Sequence, residues 1–256
     1  MLKVKLISYT PEPEKLIATA ARVCYSNKAD INSIQEGFTD EEISSFVEQL
    51  IESGHHSVLE HPVFSFAIEG ISRICSHQLV RHRIGIAISQ RSQRYCLENA
   101  YDFVTPDEIL KRLEKDADDE QEGEFATEVC NAIMTYKSLV ENGISKESAR
   151  YILPGAMPTR MIVTMNAREL LHFFALRCCL RAQPEMQELA ASMLEEVKKV
   201  APVLFKKAGP SCIQFGYCPE GKRSCGFRPT MAQLLETWYN RSYHGEEENL
   251  DTPQNL

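Results

Sequence analysis

Two hydrophobic periods share this chain without alternating regularly, and that pattern limits its folds more than any other feature. Leu2, Val4 and Leu6 recur every second residue, as do Phe64, Phe66 and Ile68 within 63–69, which predicts two strands, each with one buried face. Elsewhere the period is that of a helix. Residues 39–54 place Ile43, Phe46 and Leu50 on one stripe, with Thr39 and Glu42 set for a capping box and Gly54 to stop the helix. Residues 71–83 are helix-like, and 125–142 more clearly so through Phe125, Val129, Ile133 and Tyr136. Pro154 and Pro158 bracket an irregular stretch, and helices are predicted at 166–181 and 185–208. Strand and crossover helix never settle into repeated βαβ units, so a doubly wound sheet is disfavoured. The expected class is α+β: a mixed or antiparallel sheet with several long helices in a single domain.

At 256 residues and 43% hydrophobic, the chain can bury a core without staples. No apolar run reaches the roughly 18 residues of a membrane helix, and the opening MLKVKLISYT lacks the apolar stretch of a secretory signal. A formal charge of −8 argues against nucleic acid and anionic membranes as partners. Nine cysteines, an odd number with no CxxC, suit thiols in a reducing cytoplasm. Cys212, Cys218 and Cys225 are candidate thiolate ligands, but their spacing matches no common zinc pattern and no fourth ligand is evident, so no metal is expected. Segment 114–124 carries seven acids and reads as a solvated run. Past about 209, Gly, Pro and Cys cluster, a short helix pattern surrounds Trp238, and Glu246, Glu247 and Glu248 follow. The expected division is a catalytic part at 1–208 and an appendage at 209–256, dispensable for chemistry.

The informative feature is local. From Gly70 to Leu97 there is no Asp or Glu, yet Arg73, Arg81, Arg83, Arg91 and Arg94 fall there with His77 and His82. A second acid-free stretch, Ser148 to Arg168, holds Arg150, Arg160 and Arg168, and neither stretch contains a Lys. A guanidinium grips phosphate or carboxylate through two parallel hydrogen bonds. In an acidic protein such islands point to a small phosphorylated ligand, structural ion pairing being the plainer alternative. Gly216, Gly221 and Lys222 nearly spell a phosphate-binding loop, but Arg223 stands where a Ser or Thr would hold magnesium. No GxGxxG occurs.

Arg81-His82-Arg83, a spacer, then Ser92-Gln93-Arg94-Tyr95 resembles the signature of flavin-dependent thymidylate synthases. Eight residues separate Arg83 from Ser92, one more than is usual in that family, which suggests a bulge. Four further segments resemble the family in its order: Ala20 to Cys24, His55 to Phe66, Ser148 to Pro154, and Asn166 to Arg177. The resemblance implies reductive methylation of deoxyuridine monophosphate (dUMP) to thymidylate (dTMP). Methylenetetrahydrofolate is the carbon donor, and flavin adenine dinucleotide (FAD), reduced by NADPH, is the hydride source. It also implies a homotetramer with active sites built from several subunits.

By the same resemblance, Gln78, Arg81, Ser92, Gln93, Arg94, Arg150 and Arg177 are nucleotide contacts, with Arg177 the catalytic group at the base. His55, Ser57, Arg81, His82, Arg83, Ile84, Asn166, Arg168 and His172 are the flavin-side candidates. No protein nucleophile is implied, because the cofactor carries the hydride step. On a helix Gln78 and Arg81 share a face, whereas Arg177, nine residues past Arg168, is expected on the opposite side from Arg168 and His172. His172, among Leu170, Leu171, Phe173 and Phe174, could equally be a core histidine. The alternative to an enzyme is a non-catalytic phosphate- or RNA-binding module using the same arginines.

Overall fold

The computed structural model of the protein describes residues 2–25, 30, 33–34, 36–98, 100–113 and 120–244. One sheet contains β1 (Lys3–Tyr9), β2 (Val63–Ser72), β3 (Ile86–Gln90) and β4 (Pro158–Asn166) in the spatial order β1-β2-β4-β3. Every neighbouring pair is antiparallel. The helices are α1 (Pro13–Tyr25), α2 (Asp40–Glu52), α3 (Arg73–Leu79), α4 (Asp107–Leu113), α5 (Glu120–Glu141), α6 (Lys146–Ala149), α7 (Ala167–Arg177), α8 (Pro184–Lys198), α9 (Ser211–Phe215) and α10 (Met231–His244). The class is α+β, as the mixed periods predict.

Local chemistry sets the boundaries. Thr39 Oγ1 accepts from the Glu42 N–H while a Glu42 carboxylate oxygen accepts from the Thr39 N–H, closing the expected capping box on α2. The helix-like reading of 71–83 is corrected: Ile71 and Ser72 stay extended by pairing with Thr159 and Pro158, and Ser72 Oγ then caps α3. α3 ends at Leu79, which leaves Arg81 in the turn beyond it. α8 stops at Lys198 rather than running to 208, because Pro202 offers no N–H and its ring would crowd the preceding turn. β4 falls partly in the stretch read as irregular. It buries Met161, Val163 and Met165 alternately, behind a proline at its first position, where a strand tolerates one.

Helices α1, α2, α7 and α8 pack on one face of the sheet. Their Ile17, Val47, Phe173, Phe174 and Leu189 meet Phe64 and Phe66 of β2 and Val163 of β4, all fully buried. Phe205 joins them edge to face with Phe64 and Phe174. A smaller cluster forms where Val129 and Ile133 of α5 meet Ala156 and Met157. On the opposite face of the sheet Ser65 bonds Thr164 at 2.8 Å, and Arg160 is a structural ion pair with Glu69 at 2.9 Å. Residues 114–119 of the acidic run at 114–124 and the acidic end at 246–248 lie outside the described residues, and the rest of that run, 120–124, begins α5. No described helix is long and apolar enough to cross a membrane.

Candidate active site

A cleft of about 1110 Å³ opens between the turn after α3, helix α7 and the segment leading into α9. Arg81, His82, Arg83 and Ile84 enter it from the turn, and Asn166, Arg168, His172 and Arg177 from α7 and its cap. Leu171, Leu176, Leu204 and Phe215 give it apolar walls, and Lys206 and Lys207 stand at its rim, paired with Glu48 and Glu52. The turn is held to α7 by backbone: the Asn166 N–H donates to Gly85 O at 2.9 Å, and Asn166 Oδ1 caps the Glu169 N–H at 2.8 Å. Gly85 has φ of +68°, and a Cβ there would stand 2.5 Å from Asn166 Nδ2. Only glycine lets the signature turn lie this close to the helix cap.

Three side chains form a relay at the back of the cleft. Arg177 Nε–H donates to His82 Nε2 at 3.1 Å, and His82 Nδ1 meets Glu169 Oε1 at 2.6 Å. Because Nε2 accepts, the ring is neutral and its proton sits on Nδ1, donated to Glu169. Burial pushes the His82 pKa down to about 4, with Arg177 and His172 adding to the shift. The contact with Glu169 is therefore a hydrogen bond of a neutral imidazole rather than an ion pair, and burial raises the Glu169 pKa, which likewise favours its neutral form. Burial and the nearby Arg81 lower the pKa of Arg177, but a guanidinium keeps its proton. Cys75, within electrostatic range of Arg177, is fully buried, and burial together with Glu185 pushes its thiol up to about 12. It is no thiolate nucleophile.

The remaining nucleotide candidates gather elsewhere in the chain. Ser92, Gln93 and Arg94 form a turn after β3 in which Ser92 Oγ accepts from the Arg94 N–H at 3.2 Å. Arg94 pairs with Glu147 at 2.8 Å, and Arg150 Nε donates to Glu147 O at 3.2 Å, so α6 brings Arg150 to this turn. Arg73 joins them: burial lowers its pKa, and Arg150 and Arg91 add to the effect against Glu98. The Nε groups of Arg73 and Arg91 are buried without a hydrogen-bond partner, a donor set that an anion would satisfy. β3 lies between this group and the cleft, a span of about 13 Å at 3.3 Å per residue. One chain thus separates these candidates into two groups, and Gln78 in α3 joins neither through a side-chain contact, its Nε2 instead bonded to Gln183 Oε1 at 2.5 Å.

Several expectations are revised. β3 pairs with β4 from Ile86↔Met165 to Gln90↔Met161 without a register shift, so the long spacer is a regular strand and not a bulge. Arg177 does not face away from Arg168 and His172; all three line the cleft, since the cleft wraps around α7 and the Arg177 side chain turns back to His82. Gln78, within α3, does not share the cleft with Arg81. His172 is exposed to the cleft rather than buried in the core. His55 and Ser57 are exposed outside the lining, His55 bonding Ser53 Oγ at 2.8 Å, while the adjacent Gly54, His56 and Glu60 line the cleft. Arg168 pairs with Glu60 at 2.5 Å across it. Glu169, Gln214 and Phe215 were not anticipated. Glu169 ends the second acid-free stretch, a signal that was available, whereas Gln214 and Phe215 carried none. α9 rests on α7 through Gln214 Nε2 to Leu171 O and Ser211 Oγ to Ala175 O, both 3.0 Å. Among the described residues, no three His, Cys, Asp or Glu side chains converge on a single-ion site.

Residues 5–203 match the family model described as thymidylate synthase complementing protein. A flavin-dependent thymidylate synthase of Geobacter sulfurreducens is 45% identical over 236 residues, 91% of this chain and 98% of that protein. Those of Clostridium tetani and Pyrococcus furiosus are 42% and 43% identical, covering 91% and 86% of this chain and 96% and 90% of theirs. The fold is similar to that of a UMP/dUMP methylase from Streptomyces cacaoi, crystallised with 5-Br dUMP, at a TM-score of 0.68 and 22% identity over 80% of this chain and 94% of that one.

Proposed function

The chain belongs to the family of thymidylate synthase complementing proteins, and we propose that its cleft carries out reductive methylation of dUMP to dTMP. It is an enzyme of the flavin-dependent thymidylate synthase type. The observation that carries the reading is the buried relay: a fixed cation, Arg177, held by neutral His82 at the back of a cleft large enough for a dinucleotide.

The donor set suits FAD. Arg81, Arg83 and Arg168 are cations for a pyrophosphate, while Ile84, Leu171 and Leu176 offer apolar surface for a ring system, with His82, Asn166 and His172 beside them. His55 and Ser57 stand next to the cleft's Gly54, His56 and Glu60 and would reach the cofactor from the rim. When bound, the flavin supplies hydride drawn from NADPH, with methylenetetrahydrofolate as the carbon donor.

The chain's own residues bind, orient and polarise. Arg177 commits Nε to His82, which leaves its Nη ends to meet a uracil carbonyl. A desolvated cation there stabilises negative charge developing on the pyrimidine. Glu169 fixes the His82 ring, and His82 fixes the guanidinium plane. Ser92, Gln93, Arg94 and Arg150 grip the phosphate, with Gln78 and Arg81 on the nucleoside. The two half-sites lie at opposite ends of β3, so a complete site takes one half from each of two copies, in a homotetramer. Large apolar side chains stand open at both halves: Ile84 is 81% exposed at the cleft, and Tyr95 and Tyr151 are 73% and 87% exposed at the phosphate turn. The catalytic part is 1–208, with Gln214 and Phe215 of the following segment closing its wall. Nine thiols, none in a disulfide, suit a cytoplasmic setting.

The test is release of tritium from carbon-5-labelled dUMP by purified protein. Release that requires flavin, NADPH and methylenetetrahydrofolate together is the expected result. A colourless protein that stays inactive after flavin is restored, or one that binds an RNA oligonucleotide tightly at physiological salt and not flavin, contradicts the reading.

A further inference from the structure

A chain of hydrogen bonds ties the head of α8 to both ends of α3. Ser72, the cap of α3, donates its N–H to Glu185 Oε1 at 2.5 Å and its Oγ–H to Glu185 Oε2 at 2.7 Å, while Ser72 Oγ accepts from the Cys75 N–H at 3.0 Å. Gln183, the residue before Pro184 at the start of α8, donates Nε2 to the same Glu185 Oε2 at 3.3 Å. Gln183 Oε1 then accepts from Gln78 Nε2 at 2.5 Å. Ser72 is buried, and Gln78, Gln183 and Glu185 are half-buried.

The order of donors and acceptors along these bonds has one solution. A carboxylate only accepts, and a side-chain amide donates from its nitrogen and accepts at its oxygen. Ser72 sets two donors on Glu185, so Gln183 turns its NH2 to the carboxylate and its carbonyl oxygen to α3. Gln78 must then offer its NH2 to Gln183. Turning the Gln78 amide over would bring two carbonyl oxygens together, and turning Gln183 over to match would set its carbonyl against the carboxylate. Either change leaves partly buried polar atoms unpaired. Gln78 is thus held in one orientation, with Oε1 and an N–H left for a ligand. It stands three positions after Cys75 and three before Arg81, and both of these lie within electrostatic range of Arg177, the cation proposed for the pyrimidine.

We propose that Gln183 and Glu185 are positioning residues that lock the Gln78 amide so that its Oε1 accepts a hydrogen bond from a donor on the dUMP nucleoside, the 3′-hydroxyl or the uracil N3–H. The inference rests on the reading of Gln78 as a nucleotide contact. A locked acceptor selects for the donor, because a ligand lacking it leaves the amide oxygen unpaired. An amide free to turn over would offer either end and discriminate less. Ser72 fixes Glu185 through both carboxylate oxygens, so the order of β2 reaches the ligand through three side chains.

Equilibrium binding of dUMP, of its 3′-deoxy analogue and of dUMP methylated at N3 is measured on full-length, flavin-loaded protein. Wild type is expected to bind the analogue that lacks the donor about 3- to 10-fold more weakly than dUMP. Gln78→Met, close in shape, abolishes that penalty, and the analogue for which it does so identifies the donor. Gln183→Ala, which frees the Gln78 amide, and Glu185→Gln, which can turn either end to Gln183, abolish the same penalty with bound flavin unchanged. A merely structural role for the pair would weaken all three ligands alike and leave the ratio intact. The penalty retained in either positioning variant, or no penalty that Gln78→Met removes, overturns the proposal alone when wild type binds dUMP and releases tritium from it. Wild type that binds no dUMP overturns the functional reading and this inference with it.

Discussion

Arg177 illustrates how little a helical wheel says about a long side chain. Its backbone position on α7 is half a turn from Arg168, yet its guanidinium reaches back to His82 and joins the same cleft. Arg81 and Arg94 lie in the two separate groups, each proposed as a cation for the nucleotide. Alanine at either is expected to weaken dUMP binding by about 1.5–3 kcal/mol, or about 10- to 150-fold, as a charged hydrogen bond is lost; equilibrium binding of dUMP checks this, and wild-type affinity removes that residue from the site. His82 makes a pH prediction. Its pKa in the fold is about 4, below the ordinary 6.5, so as pH falls through 6.5 the unfolded chain takes up a proton that the fold refuses. Stability therefore drops between pH 6.5 and 4, by up to about 3 kcal/mol, offset in part by Glu169, whose raised pKa acts in the opposite sense. Urea midpoints across that range should fall less steeply for His82→Asn than for wild type; equal slopes contradict the assignment. The sequence placed His82, His172 and Arg177 among the candidates but not Glu169; its place at the end of an acid-free stretch was visible, but its partner 87 positions away was not.

At the scale of elements, the turn between α3 and β3 depends on one glycine. Gly85→Ala puts an L residue at φ of +68° and a methyl against the Asn166 side chain. The expected cost is about 2 kcal/mol or more, with flavin lost on dialysis; urea unfolding and bound absorbance check both, and an unchanged variant denies the turn its close approach. α9 carries a second prediction. Residues past 209 are expected from sequence to be dispensable, but Gln214 and Phe215 stand in the cleft wall, so truncation after Ala208 should lower flavin retention. A truncated protein holding flavin as tightly as the full chain restores the original view. Legibility here followed local chemistry. α2 was readable because Thr39, Glu42 and Gly54 mark both ends, and β2 because aromatic alternation is unambiguous. β3 hid inside a motif spacer, and β4 behind a leading proline and methionines that suit helix and strand alike.

At the scale of the whole molecule, the proposed function needs more than one chain. The guanidinium groups divide between the cleft and the turn after β3, the proposed flavin and phosphate sites, and exposed apolar side chains mark both. The proposed assembly rests on the resemblance; composition and periodicity say nothing of it, since a surface that another copy would cover looks like any mixed surface in sequence. The most direct test is complementation between subunits. Arg177→Ala and Arg94→Ala are co-expressed so that mixed oligomers form, and tritium release from carbon-5-labelled dUMP is measured at a dUMP concentration too low for either variant alone to turn over. Sites shared between copies regenerate an intact pair of halves in a fraction of the mixed oligomers, so turnover should return well above either parent. A mixture as inactive as its parents, with mixed oligomers confirmed by mass, would place both halves of each site in one chain and contradict the account.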